Sequence, residues 1–513
     1  MISLILVLKK YFTLAMNQIH FMTKQILIVL LFVFSSCTKE AAEAETTTTL
    51  SGDTDDSAIS LEGDLQISDF VWQGLNQFYY WQEEVNALAD EQLNDEKAYA
   101  KYISENADPE AFFESLKHPD DRFSWIQDDY RELENTLQGI YATNGVEFGL
   151  LYACENCNEL VGFVKYILQG SDASDKNIKR GDYFTGVNGT TLTVSNYRSL
   201  LFGDNLSYTL NMASIQNGTL TPNGVEVALT KEENFETNPI QLAKTITQGN
   251  GEKIGYLMYN QFVAEKSDAL NQQFAEFKSQ NITDLIIDLR YNGGGSVRNC
   301  VELASMITGQ FTNKIFAEEQ WNDKLLAYLK DRFGLESLIN RFVSTLSDGT
   351  AINSLNLERV YIITTSETAS ASELLINGLA SYIQVIQVGE RTVGKNVGSI
   401  TVYDYIDNDQ TKNPDHTYAM QPIVLKIANS DGYADYADGL EPSTFIEEDI
   451  RNLGSLGEES ELMLATALNL ISGTAKFTIP QAELSRALLV KDPLLLKRQQ
   501  MVVDKTLNVQ GNR

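Results

Sequence analysis

The segment Thr368-Ala-Ser-Ala-Ser-Glu373 places two serines directly after an apolar, β-branched run, Val360-Tyr-Ile-Ile-Thr364. Ala371, Leu374, Leu375, Gly378, Leu379 and Tyr382 follow at helical spacing, so the pattern predicts a strand, a turn and a helix beginning close to Ser370. Backbone N–H groups are unpaired at such a helix start and the dipole favours negative charge, which suits a nucleophile and the oxyanion its attack creates. The plainer reading makes Ser370 or Ser372 an N-cap. A nucleophilic hydroxyl also needs a base, and the chain has three histidines in 513 residues. His118 and His416 sit in polar turns, His-Pro-Asp-Asp-Arg and Asn-Pro-Asp-His-Thr, outside the apolar core pattern. A lysine is the other option, because burial disfavours the charged amine and brings its proton loss towards neutral pH. Lys395, in Gly389-Glu-Arg-Thr-Val-Gly-Lys395, is the candidate.

That last segment also matches the start of a phosphate-binding loop, and the match fails. Asn396 stands where Ser or Thr must hold magnesium, and Ser399-Ile-Thr-Val-Tyr403 reads as a strand where a helix is required. Asp288-Leu-Arg-Tyr-Asn-Gly-Gly-Gly295 is a second strand and glycine turn, able to bring backbone close to a ligand or simply to turn tightly.

The elements that must position these residues alternate from about residue 240 onwards as strands and helices, an α/β layer. Ile254–Tyr259, Leu285–Leu289 and Val360–Thr364 read as buried strands and Ser267–Lys278 as a helix. Before them, roughly 139–235 is rich in short β runs: Gly162–Leu168, Gly181–Val187, the hairpin-like Asn188-Gly189 and Val225–Leu229. Residues 65–138 read as a small helical domain, with Ser68 or Asp69 capping a first helix and Asp108-Pro109 opening another.

A net charge of −31 argues against nucleic acid as a partner, since that requires a basic footprint. Residues 1–37 hold Lys9, Lys10 and Lys24 and no acid, so the rest of the chain stands at −34. An apolar run, Ile26–Phe34, follows Lys24 and ends in Ser-Ser-Cys37, the form of an export signal too short to span a bilayer. Met22 is an alternative start. Residues 38–64 are acidic and Thr-rich, the composition of a flexible tether. Cys154-Glu-Asn-Cys157 supplies only two of the four ligands zinc wants, so a local disulfide is expected there and no metal or cofactor. Cys300 reads as a buried small hydrophobe.

The Ser370 segment, with Lys395 25 residues later, resembles the tail-specific, or C-terminal processing, protease family. The match covers about 240–475. It implies a crotonase/ClpP-like α/β core, a nucleophilic Ser370, a general base Lys395, and an oxyanion hole from the Gly294 and Ala371 amides. The family's Gln four residues after the lysine is Ser399 here, which becomes the candidate third member. Residues 139–235 resemble a PDZ domain, with Gly145, Val146, Glu147 and Phe148 as the loop that captures a peptide carboxylate. Ser-Ser-Cys37 resembles a bacterial lipobox, which implies lipidation of Cys37 and a membrane-anchored, exported protein in the cell envelope. The implied activity is cleavage of exported, unfolded or tail-exposed polypeptides near their C-termini by a Ser–Lys dyad, with residues 476–513 as a C-terminal extension. The alternative is a catalytically inactive, peptide-binding surface lipoprotein that uses the same modules.

Overall fold

The computed structural model describes residues 61–216, 219–407, 409–474, 490 and 495–503. The export signal, Cys37, most of the tether and most of the C-terminal extension lie outside them. Among the described residues, no helix is long and apolar enough to cross a membrane.

The core is a six-stranded sheet in the order Ile240–Thr247, Lys253–Tyr259, Asp284–Asp288, Arg359–Thr364, Gln384–Gly389, Thr444–Phe445. All pairs are parallel except the first. The strands are apolar runs because both faces are covered, as parallel sheets require. Leu257, Tyr259, Ile287 and Ile362 face the largest hydrophobic cluster, whereas Ile254, Tyr256, Ile286 and Ile363 face a second one with Met463, Leu464 and Ala467 of the helix Leu462–Ser472.

A second six-stranded sheet runs Gly294–Ser296, Gln500–Val502, Val397–Ser399, Ile423–Asn429, Ile315–Trp321, Ile339–Arg341. The predicted strand 399–403 is divided: Val397–Ser399 joins this sheet, and Val402–Tyr403 joins a small sheet with Ala419–Gln421 and Trp125–Gln127.

The β-rich region is an antiparallel sheet, Val146–Tyr152, Leu160–Ile167, Tyr183–Val187, Ser207–Gln216, Thr219–Thr230, with a core of its own. Asn188 and Gly189 take φ of 52° and 77° between paired Val187 and Thr190, the turn that a two-residue hairpin favours. Val146–Tyr152 is an edge strand.

The helical region departs from expectation. Asp108 caps Pro109–Ser115 by accepting from the Ala111 amide. The first helix, however, starts at Asp64, and Ser68 lies inside it, donating to the Asn106 carbonyl. Phe70, Trp72, Phe112 and Phe113 share the main cluster with Leu257 and Ile287, so these helices pack into the α/β core instead of enclosing one of their own. Cys154 and Cys157 are free thiols, not a disulfide; Cys157 Sγ donates to the Cys154 carbonyl at 3.1 Å, closing a local turn. Cys300 is fully buried.

Candidate active site

Ser370 sits between the strand Arg359–Thr364 and the helix Ala371–Ala380, with φ +66° and ψ −116°. A non-glycine residue held in that region is strained, as nucleophile elbows on strand-to-helix turns are. Ser370 is also the N-cap residue of that helix, with Glu373 at its third position, and its buried Oγ makes no cap hydrogen bond. Ser372 Oγ, by contrast, donates to the Asn292 carbonyl.

Glu373 is the hub that joins the serine and lysine segments. Its buried carboxylate accepts from the amides of Ser370 (2.7 Å), Gly394 (2.6 Å) and Lys395 (2.8 Å) and from Thr392 Oγ1 (2.5 Å). The Ser370 and Lys395 amides share one oxygen, Oε2. Burial raises the Glu373 carboxyl, and the four donors work against that rise.

Lys395 is 2% exposed. Burial pulls its ammonium down to about 7, against the opposing pull of Asp121 and Glu373. Its Nζ lies 5.1 Å from the centre of the Phe123 ring. Arg122 donates to the carbonyls of Gly394 and Ala437, so the turn that carries His118 wraps the lysine loop. Asp121, Arg122 and Phe123 were missed because nothing in their local sequence refers to residue 395. His118 itself stacks on Trp81, and His416 meets Asp404 at 3.1 Å. Gly389–Lys395 leads into a strand, so it is no phosphate loop.

Three predicted roles are not met in this state. Lys395 Nζ does not bond Ser370 Oγ; it donates to the Gln499 carbonyl at 2.6 Å. Ser399 Oγ faces the Met501 carbonyl at 3.4 Å and not the lysine, because a hydroxyl at that strand position points at the neighbouring strand. The Gly294 amide already donates to Asn292 Oδ1 at 2.8 Å, an Asx turn within the glycine segment. Gly294 still borders the site: a methyl added to it would lie 2.7 Å from Ser370 Cβ and 2.9 Å from the Ala371 nitrogen.

The β-rich region is tied to this site by charge. Arg290 is fully buried against Asp288, Glu448 and Glu461, and Arg180 reaches Glu448 across the domain junction. Burial would raise the Glu448 carboxyl, but Arg180 and Arg290 hold it down at about 2. Beside the edge strand Val146–Tyr152 lies an open groove of about 680 Å³, lined among others by Phe148, Leu201, Tyr208, Lys231 and Arg498. The predicted carboxylate loop forms its rim, but two of its amides are occupied: Gly145 donates to Thr143 Oγ1 and Val146 to Asn144 Oδ1. Glu147 pairs with Arg498 at 2.7 Å.

A family model described as Peptidase family S41 matches residues 253–417, and one described as Peptidase S41 N-terminal domain matches residues 66–125. Those two segments are similar to peptidase family S41 over the residues matched. The curated proteins that the chain resembles include a chloroplastic carboxyl-terminal-processing peptidase 2 of Arabidopsis thaliana, 26% identical over 52% of this chain and 48% of that protein. A carboxyl-terminal-processing protease of a Picosynechococcus strain is 22% identical over 71% of this chain and 78% of its own length. The chain thus spans about half the length of the Arabidopsis relative. A crystal structure assigned to the S41 proteases, from Bacteroides fragilis, matches 79% of this chain and 97% of its own with a TM-score of 0.62 at 24% identity, a likeness of fold. Both family segments contain site residues: Asp121, Arg122 and Phe123 in the first, and Gly294, Ser370, Glu373 and Lys395 in the second.

Proposed function

We propose that this chain is a serine endopeptidase that cleaves polypeptides near their C-termini with Ser370 as nucleophile and Lys395 as general base. The observation that carries it is the convergence of the Ser370 and Lys395 amides on Glu373 Oε2, which brings an unpartnered hydroxyl and an amine of pKa about 7 to one buried wall. In the neutral form the amine takes the Ser370 proton as Oγ attacks the scissile carbonyl, and returns it to the leaving amine. Water then hydrolyses the ester by the same proton path. The oxyanion falls to the Ala371 amide at the helix start, joined by the Gly294 amide once Asn292 Oδ1 releases it. Reaching Ser370 from Lys395 requires Nζ to leave the Gln499 carbonyl.

Substrates are read as exported polypeptides whose tails lie in the groove beside Val146–Tyr152, adding a strand to that edge. With Gly145 and Val146 amides occupied, Arg498 and Lys231 are the cations on that groove for a terminal carboxylate. The leader pattern supports export with Cys37 acylated and the acidic segment as tether. Digestion of an unfolded, tail-bearing reporter, with and without a C-terminal amide, tests the reading. It predicts cleavage that weakens when the carboxylate is masked, and no cleavage of either form would overturn it.

A further inference from the structure

Between the strand Gly294–Ser296 and the strand Val397–Ser399 lies a slot one strand wide, and the chain fills it with its own residues Gln500–Val502. The added strand runs parallel to Gly294–Ser296, with Gly294 opposite Gln500 and Ser296 opposite Val502. The Gln500 amide donates to the Gly293 carbonyl at 3.0 Å and the Val503 amide to the Ser399 carbonyl at 3.1 Å. The glycine turn is shaped to receive it. A methyl on Gly293 would meet the Arg498 carbonyl oxygen at 2.3 Å, and one on Gly294 the Gln500 carbonyl oxygen at 2.2 Å. That second position is also the one beside Ser370 Cβ and the Ala371 nitrogen, so the Gln500 carbonyl oxygen borders the wall of the slot that carries the serine. The preceding carbonyl, of Gln499, takes the Lys395 ammonium.

This strand cannot stay in place while a substrate is cut. Gln500 Oε1 is buried in it without a partner. Met501, fully buried, and Val503 are its apolar anchors. Just before it, Arg498 holds Glu147 on the rim of the open groove.

We propose that residues 499–503 are a self-supplied occupant of the substrate slot, an autoinhibitory strand that a polypeptide tail displaces, and that the Arg498–Glu147 pair couples its release to the neighbouring groove. A carboxylate arriving in that groove competes with Glu147 for Arg498 and loosens the strand. The ligand class of the slot is therefore an extended peptide held by backbone strand addition. This inference rests on the peptidase reading, and its test separates the two.

The test compares the full chain with a chain ending at Thr474, using an unfolded reporter and the synthetic peptide of residues 495–503. If the open form is a tenth or less of the full chain, the shortened chain cleaves about tenfold faster or more. The peptide, added in trans, raises its KM and leaves kcat unchanged. In case the shortened chain does not fold, the full chain carrying Met501→Asp serves the same purpose and is also expected to cleave faster than wild type. Binding of the labelled peptide to the shortened Ser370→Ala chain is read without any activity. Peptide binding with no cleavage by any form would leave the occupant standing and sink the peptidase reading. Cleavage that is unchanged or slower in both Thr474-ended and Met501→Asp chains, with no binding of the peptide, would overturn the autoinhibitory strand.

Discussion

Two grooves lie side by side in this molecule, each bordered by a strand edge, and they differ in what fills them. The catalytic slot is closed by residues 499–503, while the groove beside Val146–Tyr152 is open at about 680 Å³. The slot is bordered by glycines on which a side chain would meet the strand inside it, whereas the open groove is lined by the side chains of Phe148, Leu201, Tyr208 and Lys231. On the proposed function, selection of the tail falls to the open groove and the chemistry to the slot, and Arg498 touches both.

The sharpest way to break this contrast is to add one carbon to the slot. Gly294→Ala places a methyl at 2.7 Å from Ser370 Cβ and 2.9 Å from the Ala371 nitrogen, at a φ of +110°. It is expected to lower kcat/KM by about a thousandfold, the scale on which oxyanion geometry acts. Steady-state kinetics on a peptide reporter checks it.

Next comes the hub beneath the dyad. Glu373→Gln replaces one acceptor oxygen by an amide NH₂ facing two of the four donors. Kcat is expected to fall about a hundredfold, with a loss on the order of 3 kcal/mol in unfolding free energy from buried donors left unpaired. Chemical denaturation and kcat measured on the same preparation test both halves.

A change in the open groove should act on binding. Lys231, whose ammonium is lowered by partial burial and donates to the Gly203 carbonyl, loses its charge in Lys231→Met. The expectation is about tenfold in KM for tail-bearing substrates, about 1.4 kcal/mol, with kcat retained. A fall in kcat instead would erase the distinction between the two grooves.

The smallest effect concerns pH. With a lysine base near 7, activity rises as pH climbs through about 7, where Nζ loses its proton. Asp121 stabilises the charged form and so raises that value; Asp121→Asn should move the rising limb to lower pH. A pH–rate profile of the two proteins reads the direction.

The same contrast marks what the sequence could tell. The slot's parts were legible because each is a short local pattern: a β-branched run before Ser370, three glycines after Asp288, a Gly-Lys pair before a strand. Local pattern also read Asp108-Pro109 and Asn188-Gly189 correctly, since caps and two-residue turns are decided within a few residues. What stayed hidden depends on partners far along the chain. Phe123 meets Lys395, Arg498 meets Glu147, and Gln499 meets Lys395, contacts that no periodicity encodes. The helices before residue 138 looked like a domain because their apolar faces repeat at helical spacing. That spacing does not say whether the buried face meets its own kind or the α/β core.

The central claim is that Ser370 and Lys395 act as one pair. The direct measurement is the mass spectrum of an unfolded, tail-bearing polypeptide after incubation with wild type, Ser370→Ala and Lys395→Ala, each confirmed folded by its melting transition. The account predicts new C-termini with wild type and intact substrate with both variants. Undiminished cleavage by either variant would contradict it.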